Sequence, residues 1–322
     1  MNKPLLLTPT AKDYLWGGNR LNDDFNMGID ISPFAEAWVC SCHPDGESAT
    51  CGEKLSDLLK LHPEWLGNHA RSLAGGEFPI LIKLIDAKQN LSVQVHPDDE
   101  YARKYENSLG KTELWYILDA QPGAELVYGF NHDMDEEKIR RSIVSGEIEK
   151  HLNRVRVFKN DLFLIEAGTV HAIGAGCLIA EIQESSNLTY RFYDYGRKDK
   201  NGKQRELHVD KALKVANLKA STEPRQPMRV LKYKNGIARE LLTRCKYFLV
   251  DRVLLNTEVQ RELATFQTED NSFHCLLCVD GCGVLFGEGI SIPFFKGDSI
   301  FVPANSIPLK LHGKAQLLDV SC

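Results

Sequence analysis

The sequence has no long hydrophobic run, and this excludes several classes of protein. No apolar stretch approaches the roughly 18 residues that a membrane-spanning helix requires. At the N-terminus only Leu5, Leu6 and Leu7 precede a polar segment, and so few apolar residues cannot form the core of a secretory signal peptide. We therefore expect a cytoplasmic protein that has no membrane partner.

The sequence also has no excess of basic residues. The chain contains 39 Lys and Arg residues against 44 Asp and Glu residues, so its formal net charge is −5 with histidine neutral. Nucleic-acid-binding domains usually carry a basic surface, so this balance argues against nucleic acid as the main partner. Hydrophobic residues make up 43% of the chain and charged residues 26%, which is typical of globular proteins and excludes a disordered one.

The nine cysteines do not follow a disulfide or zinc-finger pattern. Their number is odd and most are scattered, as is typical of reduced thiols in an intracellular protein. Only Cys275, Cys278 and Cys282 lie close together, and no second pair at zinc-finger spacing follows them. Because their segment has the pattern of a strand and a tight turn, we interpret them as core or surface thiols. A metal site is the less favoured alternative.

Hydrophobic periodicity indicates a mainly β protein with helical insertions. Apolar residues recur at helical spacing within 53–74 and 133–152, whereas residues 91–96 alternate in polarity as a strand does. Residues 229–322 contain short apolar segments separated by turn residues, which is typical of a sandwich or barrel. The length of 322 residues suggests two domains, and we predict the linker in 219–228, which has two prolines and no apolar pattern.

Two helix starts can also be predicted. One helix should have Pro97 in its first position, with the acidic residues that follow in its first turn. Asp133 and Glu136 have the spacing of a capping box, which predicts where the second helical region begins. Gly146 should divide that region into two helices.

A weak internal repeat offers a reason for two domains. The segment 160–171 aligns with 297–308, because each has a polar pair, four apolar-biased residues and a turn. His171 falls opposite Pro308, so only the first copy retains a residue that could bind a metal. We interpret the repeat as two copies of one barrel, and chance similarity between two strands flanked by turns is the alternative.

Three segments in the first half of the chain carry residue types that bind metal ions. Gln94 and His96 share the polar face of one predicted strand. Lys111 and Glu113 stand two apart on another strand, and His171 follows a glycine turn. Two histidines and a carboxylate beside an amide suit a zinc-like ion that keeps one position open. The alternative is a set of independent polar residues, each satisfied by its own hydrogen bonds.

An arginine-containing aromatic segment is a second candidate. Arg191, Tyr193, Tyr195 and Arg197 alternate and should share one face of a strand. Such a row is either a packed surface ladder or an anion clamp, since a guanidinium binds phosphate or an enediolate through forked hydrogen bonds.

Four segments closely resemble the signature sequences of the type I phosphomannose isomerases in their shorter bacterial form. They read FPILIKLIDAKQNLSVQVHPDDEYA, GKTELWYIL, AGTVHAIGAG and SSNLTYRFYDYGR. The segment EAWVCSCHPDGES is similar to the N-terminal region of that family, and the resemblance is strong from residue 9 to about 217. It implies a zinc-dependent cupin, a small double-stranded β-helix or jelly-roll barrel, that interconverts mannose 6-phosphate and fructose 6-phosphate.

The resemblance also implies which residues hold the metal. One Zn²⁺ per chain would be bound by His96, Glu113 and His171, with Gln94 as a further ligand that is weaker here. The predicted fold is mainly β with helical insertions and consists of two cupin barrels. The first, in 1–226, is the catalytic domain with insertions at about 53–74 and 133–152. The second, in 227–322, is cupin-like and has no metal ligands.

The catalytic residues that the resemblance implies are Arg191, the active-site arginine of the family, and Lys111, a lysine at the substrate. One departure matters. Longer members have an aspartate four residues before this arginine, and this chain has Asn187 there. The acid–base role of that aspartate therefore cannot be transferred to this chain.

An aldose–ketose isomerase moves a proton between C1 and C2 through a cis-enediol and needs a general base. Lys111, Glu181 and a metal-bound water all stay open for that role. Weak candidates for holding the phosphate are Arg197, Lys198 and Lys83.

Two other functions stay open at this point. One is a non-catalytic, metal-dependent cupin that binds sugars, and the other is an Fe²⁺-dependent cupin oxygenase with two histidines and one carboxylate. The expected partner is a small phosphorylated sugar. The sequence is compatible with a monomer or a homodimer.

Overall fold

The structure is a computed structural model that describes residues 2–198, 201–222, 224, 226, 229–259 and 262–322. Within the predicted linker, residues 223, 225, 227 and 228 lie outside the described residues. The predicted domain boundary between residues 226 and 227 falls there and stays a prediction.

Two antiparallel sheets from the first part of the chain face each other. The six-stranded sheet has the spatial order Leu162–Ile165, Glu113–Ala120, Cys177–Glu184, Ile80–Ala87, Glu36–Cys40 and Thr10–Lys12. The five-stranded sheet has the order Leu152–Arg156, Glu125–Phe130, His171–Ile173, Val93–Val95 and Tyr190–Tyr193. Buried residues of both sheets, among them Trp115, Ile179, Leu126 and Ile173, pack into one core between them. This is how the first barrel closes.

A third antiparallel sheet forms the C-terminal barrel. Its spatial order is Leu5–Leu7, Ser299–Val302, His274–Gly287, Leu309–Ser321, Leu249–Asn256, Ile237–Arg244 and Leu231–Lys234. Two further strands lie off this path: Ala264–Phe266 pairs with Leu309–Ser321, and Ile290–Phe295 pairs with His274–Gly287. The first strand of the chain thus belongs to the sheet of the last domain. Two short ribbons, Cys42–His43 with Gly46–Glu47 and Ala49–Thr50 with Glu53–Lys54, complete the strands described. The prediction of a mainly β fold with two cupin barrels is confirmed.

The helices described are short. They are the α-helices Arg20–Asp23, Leu55–Leu61, Asn68–Leu73, Asp99–Glu106, Glu136–Val144 and Val209–Val215, and the 3₁₀ helices Pro63–Leu66 and Ile148–His151. No helix in these described ranges is long and apolar enough to span a membrane.

Both predicted helix starts were misplaced by two residues. Asp98 is the N-cap of Asp99–Glu106, and its carboxylate accepts a hydrogen bond from the Tyr101 amide, so Pro97 precedes the cap. Asp135 caps Glu136–Val144 in the same way. The capping-box prediction for Asp133 was therefore wrong, because an aspartate closer to the helix satisfies its free amides. Gly146, with a positive φ of 72°, lies between Glu136–Val144 and Ile148–His151 and divides the region into two helices as expected.

The two aligned segments have the same conformation, which supports the repeat. Asp161 accepts a hydrogen bond of 2.8 Å from the amide of Phe158, and Asp298 accepts one of 2.8 Å from the amide of Phe295. Each aspartate thereby closes a turn just before a strand, Leu162–Ile165 in the first barrel and Ser299–Val302 in the second. Chance similarity does not account for identical turns closed by identical contacts, so we favour two copies of one barrel.

The strand register extends this equivalence to the candidate site. Glu113 lies opposite Ile165 in the first barrel, and His274 lies opposite Val302, the counterpart of Ile165, in the second. His274 thus occupies the strand position of Glu113. Its Nδ1 lies 2.6 Å from Asp319 Oδ1, so a histidine–aspartate hydrogen bond occupies the position where the first barrel has its metal-ligand candidate.

A buried carboxyl connects the first barrel to the C-terminal one. Glu184, which is 2% exposed, accepts a 2.7 Å hydrogen bond from the amide of Thr112 and lies beside Asp99. Asp99 in turn pairs with Lys246 of the C-terminal barrel at 3.3 Å. Burial, with the neighbouring Asp99 charge, raises the pKa of Glu184 to about 8. At neutral pH its protonated form is therefore favoured in the folded protein.

Folding stability should consequently fall as pH rises, and Glu184→Gln should remove this effect. The unfolded chain ionises this carboxyl from its ordinary pKa of 4.5, whereas the folded chain retains the proton until about 8. The stabilisation is complete below 4.5 and is lost as pH rises through 8. In urea unfolding, the free energy of unfolding of the variant should exceed that of the wild type by about 1–3 kcal/mol at pH 8.5. The difference should vanish near pH 4.5. An advantage independent of pH would contradict this account.

Candidate metal centre

Three strands from the two facing sheets bring the predicted ligands together. His96 directly follows Val93–Val95, and His171 begins His171–Ile173 beside it in the five-stranded sheet, where it lies opposite Gln94. Glu113 begins Glu113–Ala120 in the six-stranded sheet. The sequence places all of these side chains at strand ends on one side of the barrel, so they meet between the sheets.

The three side chains form a compact, fully buried group. One potential ligand atom from each of His96, Glu113 and His171 lies within 4.8 Å of the others. The two Nε2 atoms are 3.1 Å apart, and His171 Nε2 lies 3.3 Å from Glu113 Oε1. None of the three residues is more than 1% exposed. Two imidazoles and a carboxylate at these separations fit one divalent cation.

The tautomers of both histidines support this fit. His96 Nδ1 lies 2.8 Å from the carbonyl of Leu188, and His171 Nδ1 lies 2.8 Å from the carbonyl of Thr169. A carbonyl accepts hydrogen bonds only, so each Nδ1 carries the proton and each Nε2 presents a lone pair. Two lone pairs only 3.1 Å apart repel each other, and a shared cation would relieve the repulsion, which the Lys111 ammonium, 3.3 Å from His96 Nε2, offsets on one side only. Glu113 Oε1, buried and without a hydrogen-bond partner, completes the set.

Gln94 lies at the edge of this group. Its Nε2 is 3.4 Å from His171 Nε2, and its Oε1 accepts a 3.2 Å hydrogen bond from Ser92. A half-turn of the amide would exchange the two atoms and present the oxygen toward the histidines. Gln94 is therefore placed to be a further ligand, as the resemblance implied.

Lys111 supplies a positive charge inside the group. Its Nζ donates a 2.6 Å hydrogen bond to Glu113 Oε2 and lies 3.3 Å from His96 Nε2. Burial lowers the pKa of His171 to about 4, and burial followed by the Lys111 charge lowers that of His96 well below its ordinary value. Both imidazoles are therefore neutral at pH 7, the form that binds metal. Burial raises the pKa of Glu113 to about 7 even though Lys111 opposes this.

A second buried charge network lies next to the first. Lys83 is 3.2 Å from Glu181 and 3.7 Å from Glu36, and it is only 4% exposed. Trp115 donates a 2.9 Å hydrogen bond to Glu181 Oε2. Burial opposes ionisation of Glu181, but Lys111 and Lys83 outweigh it and lower its pKa to about 2. Glu181 is therefore ionised, and the Lys83 ammonium is engaged by buried carboxylates instead of facing the rim.

A cavity of about 130 Å³ lies over these networks. Its lining includes the candidate ligand Gln94 and the three candidate catalytic residues, Lys111, Glu181 and Arg191. All four side chains therefore face one cavity. Arg191 Nε is buried without a hydrogen-bond partner, and no carboxylate among the described residues lies within ion-pair distance of this arginine. Its guanidinium is thus available to a ligand in the cavity.

The predicted row of alternating residues does not continue beyond Tyr193. The strand ends there, and Tyr195 has a positive φ of 56°, so Tyr195 and Arg197 belong to a turn. Arg197 is held by Asp194 and by the carbonyl of Asn90. It faces a neighbouring cavity of about 190 Å³ instead of the one lined by Arg191. Lys198 forms an isolated bridge with Gln204.

Sequence reasoning missed Arg205, which lines both cavities. Its Nε donates a 2.8 Å hydrogen bond to Asp194, which orients the guanidinium between Arg191 and Arg197. Arg205 lies in the charged loop 196–206, where one arginine among many cations carries no distinguishing pattern. Only its proximity to Arg191 in the folded chain shows that Arg205 belongs to the candidate site.

A β-barrel with two histidines and a carboxylate at its centre defines the class of metal-binding cupins. The catalytic-domain profile of the type I phosphomannose isomerases matches residues 5–129, and the cupin-domain profile of mannose-6-phosphate isomerase matches residues 238–322. The chain is 38% identical to mannose-6-phosphate isomerase ManA of Bacillus subtilis over 98% of both chains.

Two further relatives agree. The mannose-6-phosphate isomerase of Streptococcus mutans is 40% identical over 68% of this chain and 69% of its own. The crystal structure of the mannose 6-phosphate isomerase from Bacillus subtilis superimposes with a TM-score of 0.88 at 34% identity, and the match covers 99% of each chain. The chain belongs to the type I phosphomannose isomerase family of enzymes.

Replacement of His171 by alanine should abolish stoichiometric metal binding, because the site then loses one of its two imidazoles. Metal analysis after gel filtration in the presence of Zn²⁺ measures this directly. His274→Ala, at the position in the C-terminal barrel that corresponds to Glu113, is the matched control and should bind metal like the wild type. Retention of one zinc per chain by the His171 variant would show that His171 is not a ligand.

Proposed function

We propose that the protein is a zinc-dependent aldose–ketose isomerase that interconverts mannose 6-phosphate and fructose 6-phosphate through a cis-enediol. The observation that carries the proposal is the pair of facing Nε2 lone pairs, 3.1 Å apart, beside the unpartnered Glu113 Oε1. This donor set lies under a cavity that is also lined by the ionised Glu181 and by Arg191. Membership of the type I phosphomannose isomerases supports the sugar phosphate substrate.

The residues that would hold the zinc are His96, Glu113 and His171, with Gln94 as the fourth protein ligand. Imidazole and carboxylate ligands suit Zn²⁺, and both histidines are already in the neutral form that binds metal. When bound, the zinc supplies a Lewis acid that polarises the substrate carbonyl and orients the C1 and C2 oxygens.

Arg191 is suited to stabilise the negative charge that develops on oxygen. Its Nε has no hydrogen-bond partner among the described residues, so a substrate oxygen can accept a hydrogen bond without displacing an existing one. Burial lowers the pKa of Arg191, yet an arginine keeps its charge at any physiological pH. A permanent cation in a buried cavity binds an enediolate more strongly than the neutral sugar.

Glu181 is the general base that we favour. Its carboxylate is ionised and lines the cavity, and its Oε1 lies 3.2 Å from the Lys83 ammonium, which favours the ionised form. Lys111, by contrast, is bound to Glu113 at 2.6 Å and so is better placed to hold that ligand and the substrate oxygens. A single carboxylate could take the proton from one carbon and return it to the neighbouring carbon on the same face of the enediol.

The phosphate group would be held at the outer side of the cavity by Arg205. Its guanidinium is oriented by Asp194 and lies on the wall shared by both cavities. Arg197 would contribute charge from the turn, since Asp194 and Asn90 already engage it. Lys83 would take no direct part in phosphate binding, because Glu36 and Glu181 neutralise it in the interior.

A coupled enzyme assay tests this proposal by measuring the conversion of mannose 6-phosphate to fructose 6-phosphate with and without a chelator. Chelation should abolish turnover, and added Zn²⁺ should restore it. Metal-dependent binding of the sugar without turnover would instead indicate a sugar-binding cupin. Oxygen consumption that depends on Fe²⁺ would indicate an oxygenase.

Arg191 and Arg205 should differ in their kinetic effects. Arg191→Ala should lower kcat about 10²–10³-fold, the usual effect of removing one donor to a developing oxyanion. Arg205→Ala should raise KM about 10- to 100-fold, as expected for loss of one charge-assisted hydrogen bond to the phosphate, and change kcat little.

Arg154→Ala is the control for these two variants, because its guanidinium pairs with Glu149 on the outer surface. It should change neither parameter. Full kcat in the Arg191 variant would exclude Arg191 from the mechanism, and an unchanged KM in the Arg205 variant would exclude Arg205 from phosphate binding. The cytoplasmic location and the monomeric or homodimeric state stay predictions.

A further inference from the structure

Gln183 is a buried polar residue that the mechanism above does not use. It is 0% exposed and lies directly opposite Glu113 in the pair of strands Glu113–Ala120 and Cys177–Glu184. Residues opposite each other in antiparallel strands have Cβ atoms about 4.5–5.5 Å apart, so Gln183 is an immediate neighbour of a candidate metal ligand. Burying an amide costs free energy unless hydrogen bonds to other groups compensate for the lost contact with water.

The hydrogen bonds of Gln183 are directed at one loop. Its Nε2 donates to the carbonyl of Glu184 at 2.9 Å and to the carbonyl of Ser186 at 2.5 Å. Two carbonyl acceptors require the amino end of the amide at this position, so the orientation of the side chain is determined. Its Oε1 has no hydrogen-bond partner. The amide thus holds the backbone of residues 184–186.

The same loop sets the orientation of His96. Ser186 Oγ accepts a 3.3 Å hydrogen bond from the amide of Leu188 and donates one of 3.1 Å to the carbonyl of Leu109. The carbonyl of Leu188 is the group that receives the proton of His96 Nδ1, at 2.8 Å. A continuous series of hydrogen bonds therefore connects Gln183, through Ser186 and Leu188, to the tautomer of His96.

We propose that Gln183 is a positioning residue of the metal centre: by ordering the loop 184–188, it holds the Leu188 carbonyl that keeps the proton of His96 on Nδ1 and leaves Nε2 free for the metal. This rests on the proposed function in so far as His96 binds the metal. Without the amide, the loop loses two of its hydrogen bonds, and the proton of His96 is free to move to Nε2. That tautomer cannot bind a metal through Nε2.

Gln183→Met keeps the size of the side chain and removes the amide. In the full-length protein, the affinity for Zn²⁺, measured by competition with a chromophoric chelator, should fall about 10- to 100-fold, the usual effect of losing an outer partner of a metal-bound histidine. In metal-free protein with ¹⁵N-labelled histidine, NMR should show the Nε2-protonated tautomer of His96 in the variant and the Nδ1-protonated one in the wild type. Unchanged affinity and tautomer would overturn the proposal.

Thr268→Val is the matched structural control. Thr268 is also buried, and its hydroxyl holds a loop of the C-terminal barrel through the Pro303 carbonyl and the Ser306 amide. This variant should lower Tm but leave the zinc affinity within about twofold, because no series of hydrogen bonds connects it to an outer partner of a metal ligand. An equal loss of affinity in the Thr268 variant would show that general destabilisation explains the effect.

Ser186→Ala provides a second variant if the Gln183 variant does not fold. It removes the bond to the Leu188 amide and should weaken zinc binding in the same direction. Where both fold, the double variant should lose little more affinity than the more affected single one, since both act through Leu188, and multiplicative losses would contradict this. A wild type that binds no zinc would refute the proposed function. A wild type that binds zinc beside unaffected variants would refute only the role of Gln183.

Discussion

The repulsion between two imidazole lone pairs is the interaction on which the rest of the site depends. Carbonyl groups of Leu188 and Thr169 hold both Nδ1 protons, so His96 and His171 present their Nε2 lone pairs to each other at 3.1 Å. Such an arrangement is unfavourable by itself and becomes favourable around a cation. The backbone thus fixes which nitrogen of each candidate ligand is protonated, which is the arrangement that a preformed metal site would require.

The charges around this pair are balanced inside the barrel instead of by solvent. Lys111 stabilises Glu113, while Lys83 stabilises Glu36 and Glu181, and all of these residues are at least nine-tenths buried. Removing one member of a buried pair leaves its partner uncompensated, so both networks restrict what the sequence can change. At the corresponding position the C-terminal barrel has a hydrogen bond between His274 and Asp319, which needs no metal.

The sequence allowed much of this to be predicted, for physical reasons that can be named. Alternating polarity placed Gln94 and His96 on one strand face, and the repeated turn around Asp161 and Asp298 indicated two related barrels. The sequence could not show that Arg205 approaches Arg191, because a loop contact leaves no periodic pattern.

Other details also depended on the folded chain. The helix start at Asp135 was missed because several nearby aspartates are equally good caps in sequence alone. Lys83 was a weak candidate for holding the phosphate, and only the meeting of three strands shows that two buried carboxylates engage it. The misses at Arg205 and Lys83 concern tertiary contacts, and the miss at Asp135 concerns a choice between neighbouring caps.

The central claim is that this buried donor set is built for one catalytic metal ion. The most direct test is a titration of metal-free protein with Zn²⁺, in which bound metal and the isomerisation rate of mannose 6-phosphate are measured on the same samples. The account predicts that both rise together and reach a plateau at one zinc per chain. Full activity in the metal-free protein, or one bound zinc without any activity, would contradict it.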